Sequence, residues 1–180
     1  MPITPLHFGP AALAKAVTPK YFSFAVFGFT QLAMDLEPLY YLIQAVWPIH
    51  RFFHTYLGAT LVAVLAVVVG KPLSELVIRL WNRRLGPTQR DWLGIAPRIP
   101  LIAAVVGALF GAYSHVFLDS IIHSDLHPFA PWWNGNGLLG LISIDHLYML
   151  CAGSGVLGGI MLLIFLLRRK VVSKKTDYEV

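Results

Sequence analysis

Residues 99–123 read IPLIAAVVGALFGAYSHVFLDSIIH. From Ile99 to Leu118 there is no Asp, Glu, Lys or Arg, and a helix that crosses a bilayer needs about 20 such residues. The run then meets His115, Asp119 and His123, spaced by four, which places all three on one face of a helix. Ionisable groups inside a membrane span are costly and mark function by default. This stretch therefore predicts both a membrane helix and the position of its chemistry.

Similar runs lie on either side. Leu147 to Leu167 carries no charge, Thr55 to Gly70 contains LVAVLAVVV, and Tyr21 to Met34 is uncharged, with apolar character returning at Leu39 after Asp35-Leu36-Glu37-Pro38. These predict an all-α, polytopic membrane bundle of about four transmembrane helices, roughly 21–46, 54–70, 99–123 and 138–167, with Gly153-Ser154-Gly155 as a bend in the last. Residues 71–85 (KPLSELVIRLWNRRL) place Leu73, Leu76, Val77, Leu80 and Trp81 on one helical face and Ser74, Glu75, Arg79, Asn82 and Arg83 on the other. That pattern predicts an amphipathic helix on the cytoplasmic leaflet. Residues 124–137 read as a Pro-, Gly- and Trp-rich loop with Trp132 and Trp133 at headgroup level. One transmembrane domain is expected over 1–170, with a short polar tail over 171–180.

Composition agrees. The chain of 180 residues is 57% hydrophobic and 13% charged, against about 25% charged in soluble domains. Disorder, collagen and a disulfide framework are excluded, and the single cysteine, Cys151, makes neither an internal bridge nor a Cys-based zinc site. The net charge of +5 does not point to nucleic acid, because the basic residues flank apolar runs. With both ends of the four-helix core in the cytoplasm, every Lys and Arg except Arg51 lies inside, as the positive-inside rule requires. The inner membrane of a bacterial cell is the expected location.

The ionisable groups share a level. Counting 1.5 Å per residue from each inner end, Asp35 lies about 21 Å along its helix, His54 and His115 about 24 Å, Asp119 about 30 Å and Asp145 about 33 Å. Imidazoles and carboxylates on neighbouring helices form a usual metal site of a bundle, and zinc, iron or manganese suits such donors. Asp35, Glu37, Asp119 and Asp145 face only Arg51 as a fixed cation, so without a metal or bound protons they would repel one another. Taken singly, His50, His127 and His146 read as structural or interfacial.

Four stretches in order carry a resemblance: Met1 to Gly9 (MPITPLHFG), Ala33-Met34-Asp35-Leu36-Glu37, His50-Arg51-Phe52-Phe53-His54-Thr55, and Ser114 to Ser120 (SHVFLDS) with His123 following. Over about residues 1–130 the chain resembles the membrane-bound metal-dependent hydrolases of bacterial inner membranes. Met34 stands where that family often has proline, and Glu37 where its second acid is often aspartate. The resemblance implies His7, Asp35, His54, His115 and Asp119 as metal ligands, with Glu37, His50 and His123 behind them. His7 reaches an outer-level site only if residues 9–18 form a short N-terminal re-entrant or interfacial helix.

The expected function is hydrolysis of lipid headgroups or amphipathic phosphoesters at the extracytoplasmic face. A divalent metal, zinc by expectation, would activate water. Glu37 or Asp145 would act as general base, and Arg51 would clamp a phosphate. The alternatives are a transporter or channel using the same groups, and a structural protein whose bundle the metal holds together. Metal content separates the three from a metal-free bundle; turnover and flux separate them from one another.

Overall fold

The structure, a computed structural model, describes residues 5–178 and the side chains of residues 5–168. Met1 to Thr4 of the first motif, and residues 179–180 of the expected tail, lie outside the described residues. The chain is all-helical, with no strand among the described residues. After a 3-10 turn at Pro5–His7 come α1 (Phe8–Val17), α2 (Phe24–Ile43), a 3-10 turn at Phe52–His54, α3 (Tyr56–Leu65), α4 (Lys71–Arg84), α5 (Pro87–Leu93), α6 (Leu101–Ile122) and α7 (Ile144–Tyr178). Among the described residues, three helices are long and apolar enough to cross a membrane: Tyr56–Arg84, Leu101–Ile122 and Ile144–Arg168.

α6 is the central post. Its buried side is built from Ala103, Ala104, Gly107, Ala108, Gly111 and Ala112, followed by His115, Val116 and Asp119. Between apolar helices in lipid the hydrophobic effect contributes little, so association rests on close packing of small residues. α2 runs parallel to α6 on one side. Ser23 N–H donates to Ala103 O at 3.0 Å, and a Cβ added to Gly107 would sit 2.5 Å from Ser23 O. That separation needs glycine, and with Gly111, where an added Cβ would sit 3.0 Å from Thr30 Cβ, it makes Gly107-(x)3-Gly111 a close-packing element. α3 descends on the other side, its Thr60 hydroxyl 3.0 Å from Tyr113 OH of α6.

α2 begins at Ser23, whose side chain accepts from Val26 N–H, and runs unbroken past Asp35 and Glu37 although Pro38 lies inside it. α3 and α4 are one continuous helix, joined by a π turn at Ala66–Gly70. The segment expected as a separate amphipathic helix is thus the extension of α3. It buries Ser74 and Ile78, and Leu73, Leu76, Val77, Leu80 and Trp81 point outward. The chain after α4 folds back on it, with Asn82 bonded to both the N–H and the carbonyl of Ile95.

α7 starts at Ile144, later than the expected 138, because residues 138–143 form turns with Gly140 at φ +71°. It continues through Gly153-Ser154-Gly155 without a break and runs as far as Tyr178. Its partner is α1. A Cβ on Gly9 would fall 1.8 Å from Cys151 O, and one on Gly158 would meet the Ala12 and Leu13 backbone at 2.4 Å. α1 therefore lies flat against the first half of α7, with His7 at the end where α6 finishes.

Candidate metal centre

Four separate stretches bring side chains to that end of the bundle. α6 supplies His115 and Asp119 from its last two turns. α2 supplies Gln31 and Asp35, one turn apart on the buried side. The 3-10 turn before α3 supplies His54, and the turn before α1 supplies His7. Gly58 makes the third arrangement possible: a Cβ there would lie 1.9 Å from Phe52 O, so only glycine lets the 3-10 turn fold tightly onto α3. Thr55 caps the helix by accepting from Gly58 N–H at 2.9 Å.

Asp119 sits at the middle. Its Oδ1 is 3.3 Å from His7 Nε2, and its Oδ2 is 3.2 Å from His115 Nε2 and 3.7 Å from His54 Nε2. Asp35 Oδ1 is 3.6 Å from His115 Nε2. His7, Asp35, His54, His115 and Asp119 are all buried. Burial pushes the His7 imidazole down to about 4 against the attraction of Asp119, so it stays neutral, the form that binds a metal.

The far nitrogens are tied to other elements. Gln31 Nε2 donates to Gly111 O at 2.9 Å, which turns Gln31 Oε1 onto His115 Nδ1 at 2.7 Å. Glu37 accepts from Arg51 N–H, from Phe53 N–H and, at 3.2 Å, from His54 Nδ1. Asp125 Oδ2 accepts from the Ile49 and His50 N–H groups, and its Oδ1 is 3.0 Å from His50 Nδ1. Burial raises the Asp125 carboxyl, but the His50 contacts outweigh it and hold the group below the usual carboxylate range. In each pair an oxygen acceptor places the imidazole proton on Nδ1, leaving Nε2 as a bare lone pair. Metal-ligating histidines are held in this way.

The Nε2 atoms of His54 and His115 are buried and make no hydrogen bond. Asp119 is close, but not in hydrogen-bonding geometry, and it too offers only lone pairs. Leaving a buried polar atom unsatisfied costs about 1–3 kcal/mol, and acceptor facing acceptor adds repulsion. A cation between them removes both penalties. Three triads among these residues bring one ligand atom each to within 4.8 Å of the others: His7, His115 and Asp119; Asp35, His54 and His115; His50, His54 and Asp119. The donor set fits a divalent ion.

The remaining expected residues fall elsewhere. Asp145 is exposed in the first turn of α7, outside the cluster. There it faces a helix N-terminus, where a carboxylate is favourable in any case. The Arg51 guanidinium lies 3.9 Å from the Tyr41 ring centroid, with Nε donating to Pro48 O. It does not touch the carboxylates, but with His50, Phe52, Leu57 and His127 it lines a cleft of about 350 Å³ beside the cluster. His123 follows the end of α6 with extended backbone, so the four-residue spacing does not carry it onto the His115 face; its ring packs on His50 at 4.2 Å. Both oxygens of Glu37 are occupied, which makes it an orienting group for His54. Sequence reasoning missed Gln31 and Asp125. Gln31 left a signal, a lone amide one turn before Asp35 in an apolar helix; Asp125 left none, being one polar loop residue among several.

An all-α protein with membrane-length helices and a buried imidazole and carboxylate cluster defines the class. Over residues 1–179 the chain matches, and belongs to, the family described as Domain of unknown function (DUF4184). No curated protein and no solved structure matches it.

Proposed function

We propose that the protein is a membrane-embedded metal-dependent hydrolase of phosphoesters, acting on lipid headgroups or similar amphiphiles at the extracytoplasmic face. The observation that carries this reading is the pair of buried, unbonded Nε2 atoms of His54 and His115 turned onto the Asp119 carboxylate. His7, Asp35, His54, His115 and Asp119 hold the ion, with zinc the first candidate. When bound, such an ion lowers the pKa of water and polarises a phosphoryl oxygen.

The chain's own groups do the rest. Asp35 makes no hydrogen bond among the described residues, which leaves its oxygens free for the ion and for the water beside it. Glu37 and Gln31 keep His54 and His115 in the tautomer that presents Nε2. Arg51, packed on Tyr41, offers its remaining N–H donors to a phosphate in the adjacent cleft, and Phe52 and Leu57 give that cleft apolar walls suited to the first carbons of a lipid chain.

In the bilayer, the bundle adds α2 as a fourth span and α1 as a helix that enters from the cluster side. The positive-inside rule then puts Arg79, Arg83, Arg84, Arg90 and Arg98 in the cytoplasm of a bacterial cell and the cluster at the outer level.

The test is metal content and phosphoesterase activity of protein purified in detergent. Bound divalent ion, lost in His115→Ala and Asp119→Ala together with hydrolysis of a short-chain phospholipid, supports the reading. Absence of ion from metal-replete wild type overturns it. Ion bound without turnover of any phosphoester leaves a structural centre, and metal-dependent flux in proteoliposomes makes it a transporter.

A further inference from the structure

The donors around Asp119 outnumber what one ion takes. Zinc in proteins is almost always four-coordinate in structural sites, and keeps three protein ligands in catalytic ones. Here His7, His54, His115, Asp35 and Asp119 already make five, and His50 joins them. Its Nδ1 is held by Asp125 as Glu37 holds His54 and Gln31 holds His115, so its Nε2 is bare by the same logic. A ligand atom of His50 lies within 4.8 Å of those of His54 and Asp119. The His50 and His54 rings meet edge to face, 4.9 Å between centroids.

The triad of His7, His115 and Asp119 and the triad of His50, His54 and Asp119 have one residue in common. Asp119 also has imidazoles at both oxygens, His7 at Oδ1 and His54 with His115 at Oδ2, and His115 stands between the two sides, grouped once with His7 and once with His54. A carboxylate with donors converging on both of its oxygens is the usual geometry of a bridging ligand. We infer that the centre is dinuclear, with one cation on the His7 and His115 side, a second held by His50 and His54, and Asp119 shared between them. Asp125 positions His50 for the second cation, as one member of a carboxylate–histidine pair. The inference rests on the metal reading above and sharpens its substrate class, since paired cations about 3.5–4 Å apart clamp the attacking and leaving oxygens of a phosphoryl transfer.

The second position lies nearer the cleft than the first. His50 lines that cleft beside Arg51 and His127, whereas His7, His115 and Asp119 do not. A phosphate entering there meets the His50 side of the centre and the Arg51 guanidinium together.

The experiment loads the detergent-purified full chain with manganese(II) alone, counts ions per chain by elemental analysis, and records the electron paramagnetic resonance spectrum. Two ions and a spin-coupled spectrum are expected in wild type. One ion with an uncoupled spectrum is expected in His50→Ala, no tightly bound ion in Asp119→Ala, and about 10–100-fold weaker uptake of the second ion in Asp125→Ala, which removes the acceptor. Should His50→Ala not fold, the wild-type stoichiometry and spectrum decide alone. A single ion in saturated wild type overturns the dinuclear centre and leaves the proposed function standing. Two uncoupled ions, or one ion retained in Asp119→Ala, overturn the shared carboxylate. No ion at all overturns both readings.

Discussion

Gln31 Oε1 stands 2.7 Å from His115 Nδ1, and the Gln31 amide is held in that orientation by Gly111 O, 2.9 Å from its Nε2. A backbone carbonyl of α6 thereby sets, through a side chain of α2, which nitrogen of an α6 histidine carries its proton. The close α2–α6 contact at Gly107 and Gly111 is what allows the reach. Gln31→Leu removes the acceptor without adding volume, and ion affinity should fall about 10–100-fold, the usual cost of losing such a partner. Gln31→Glu keeps an acceptor and should retain most of the affinity. Competition titration against a chelating dye measures both.

Glu37→Ala strips acceptors from two backbone N–H groups and from His54. Leaving donors unsatisfied costs about 1–3 kcal/mol each when buried, and here Phe53 is partly exposed. A loss on the order of 2–4 kcal/mol in detergent-state stability is expected, with reduced ion uptake in the variant that remains folded. Thermal melts with and without metal separate the two effects.

Gly107→Leu places a side chain where Ser23 O now lies 2.5 Å from the would-be Cβ. Overpacking of this kind costs about 1–3 kcal/mol, and it pries α2 from α6, carrying Gln31 and Asp35 away from His115. Gly9→Val acts likewise on α1 and α7 and withdraws His7. Both should lower ion content although neither residue is a ligand, with the Gly9 variant losing less.

Asp145→Asn and Arg51→Gln should leave ion content unchanged, since neither side chain touches the cluster. Hydrolysis should also be unchanged within about twofold in Asp145→Asn, because its only structural role is at an exposed helix N-terminus worth under about 1 kcal/mol. In Arg51→Gln the KM for a phosphoester should rise while ion affinity stays. A fall in ion content in either variant contradicts the geometry.

Bound ion should stabilise the fold by mass action. At a free concentration 100 times Kd the gain is about 2.7 kcal/mol, so the melting temperature should climb with added zinc or manganese and drop with chelator. A melting temperature indifferent to both would show that no ion binds the native state.

Much of the helical framework was legible in the chain. The apolar runs around Leu61–Val69, Ile99–Leu118 and Leu147–Leu167 are long enough that length and composition decide their state, because in a bilayer only a helix satisfies every backbone group of such a run. The limits of that signal were local. Nothing in the run at 54–70 announces that the helix passes through a π turn into Lys71–Arg84, and the outward face of Leu73, Leu76 and Leu80 depends on which neighbours α4 meets. For the site, the four-residue spacing of His115 and Asp119 put both on one face of α6, and the cost of charge in lipid marked them with Asp35.

What the residues dictated by themselves, then, was helical periodicity, apolar length and the presence of donors too expensive to bury unpaired. These are properties of single segments. Which donors meet was decided by packing: glycines at 9, 58, 107 and 111 set how closely segments far apart in the chain approach, and that approach brought in His7, Gln31, His50 and Asp125 while leaving Asp145 outside. A hydrogen bond between residues 84 positions apart has no trace in the periodicity of either helix, because its partner is chosen by the distance between two helix axes.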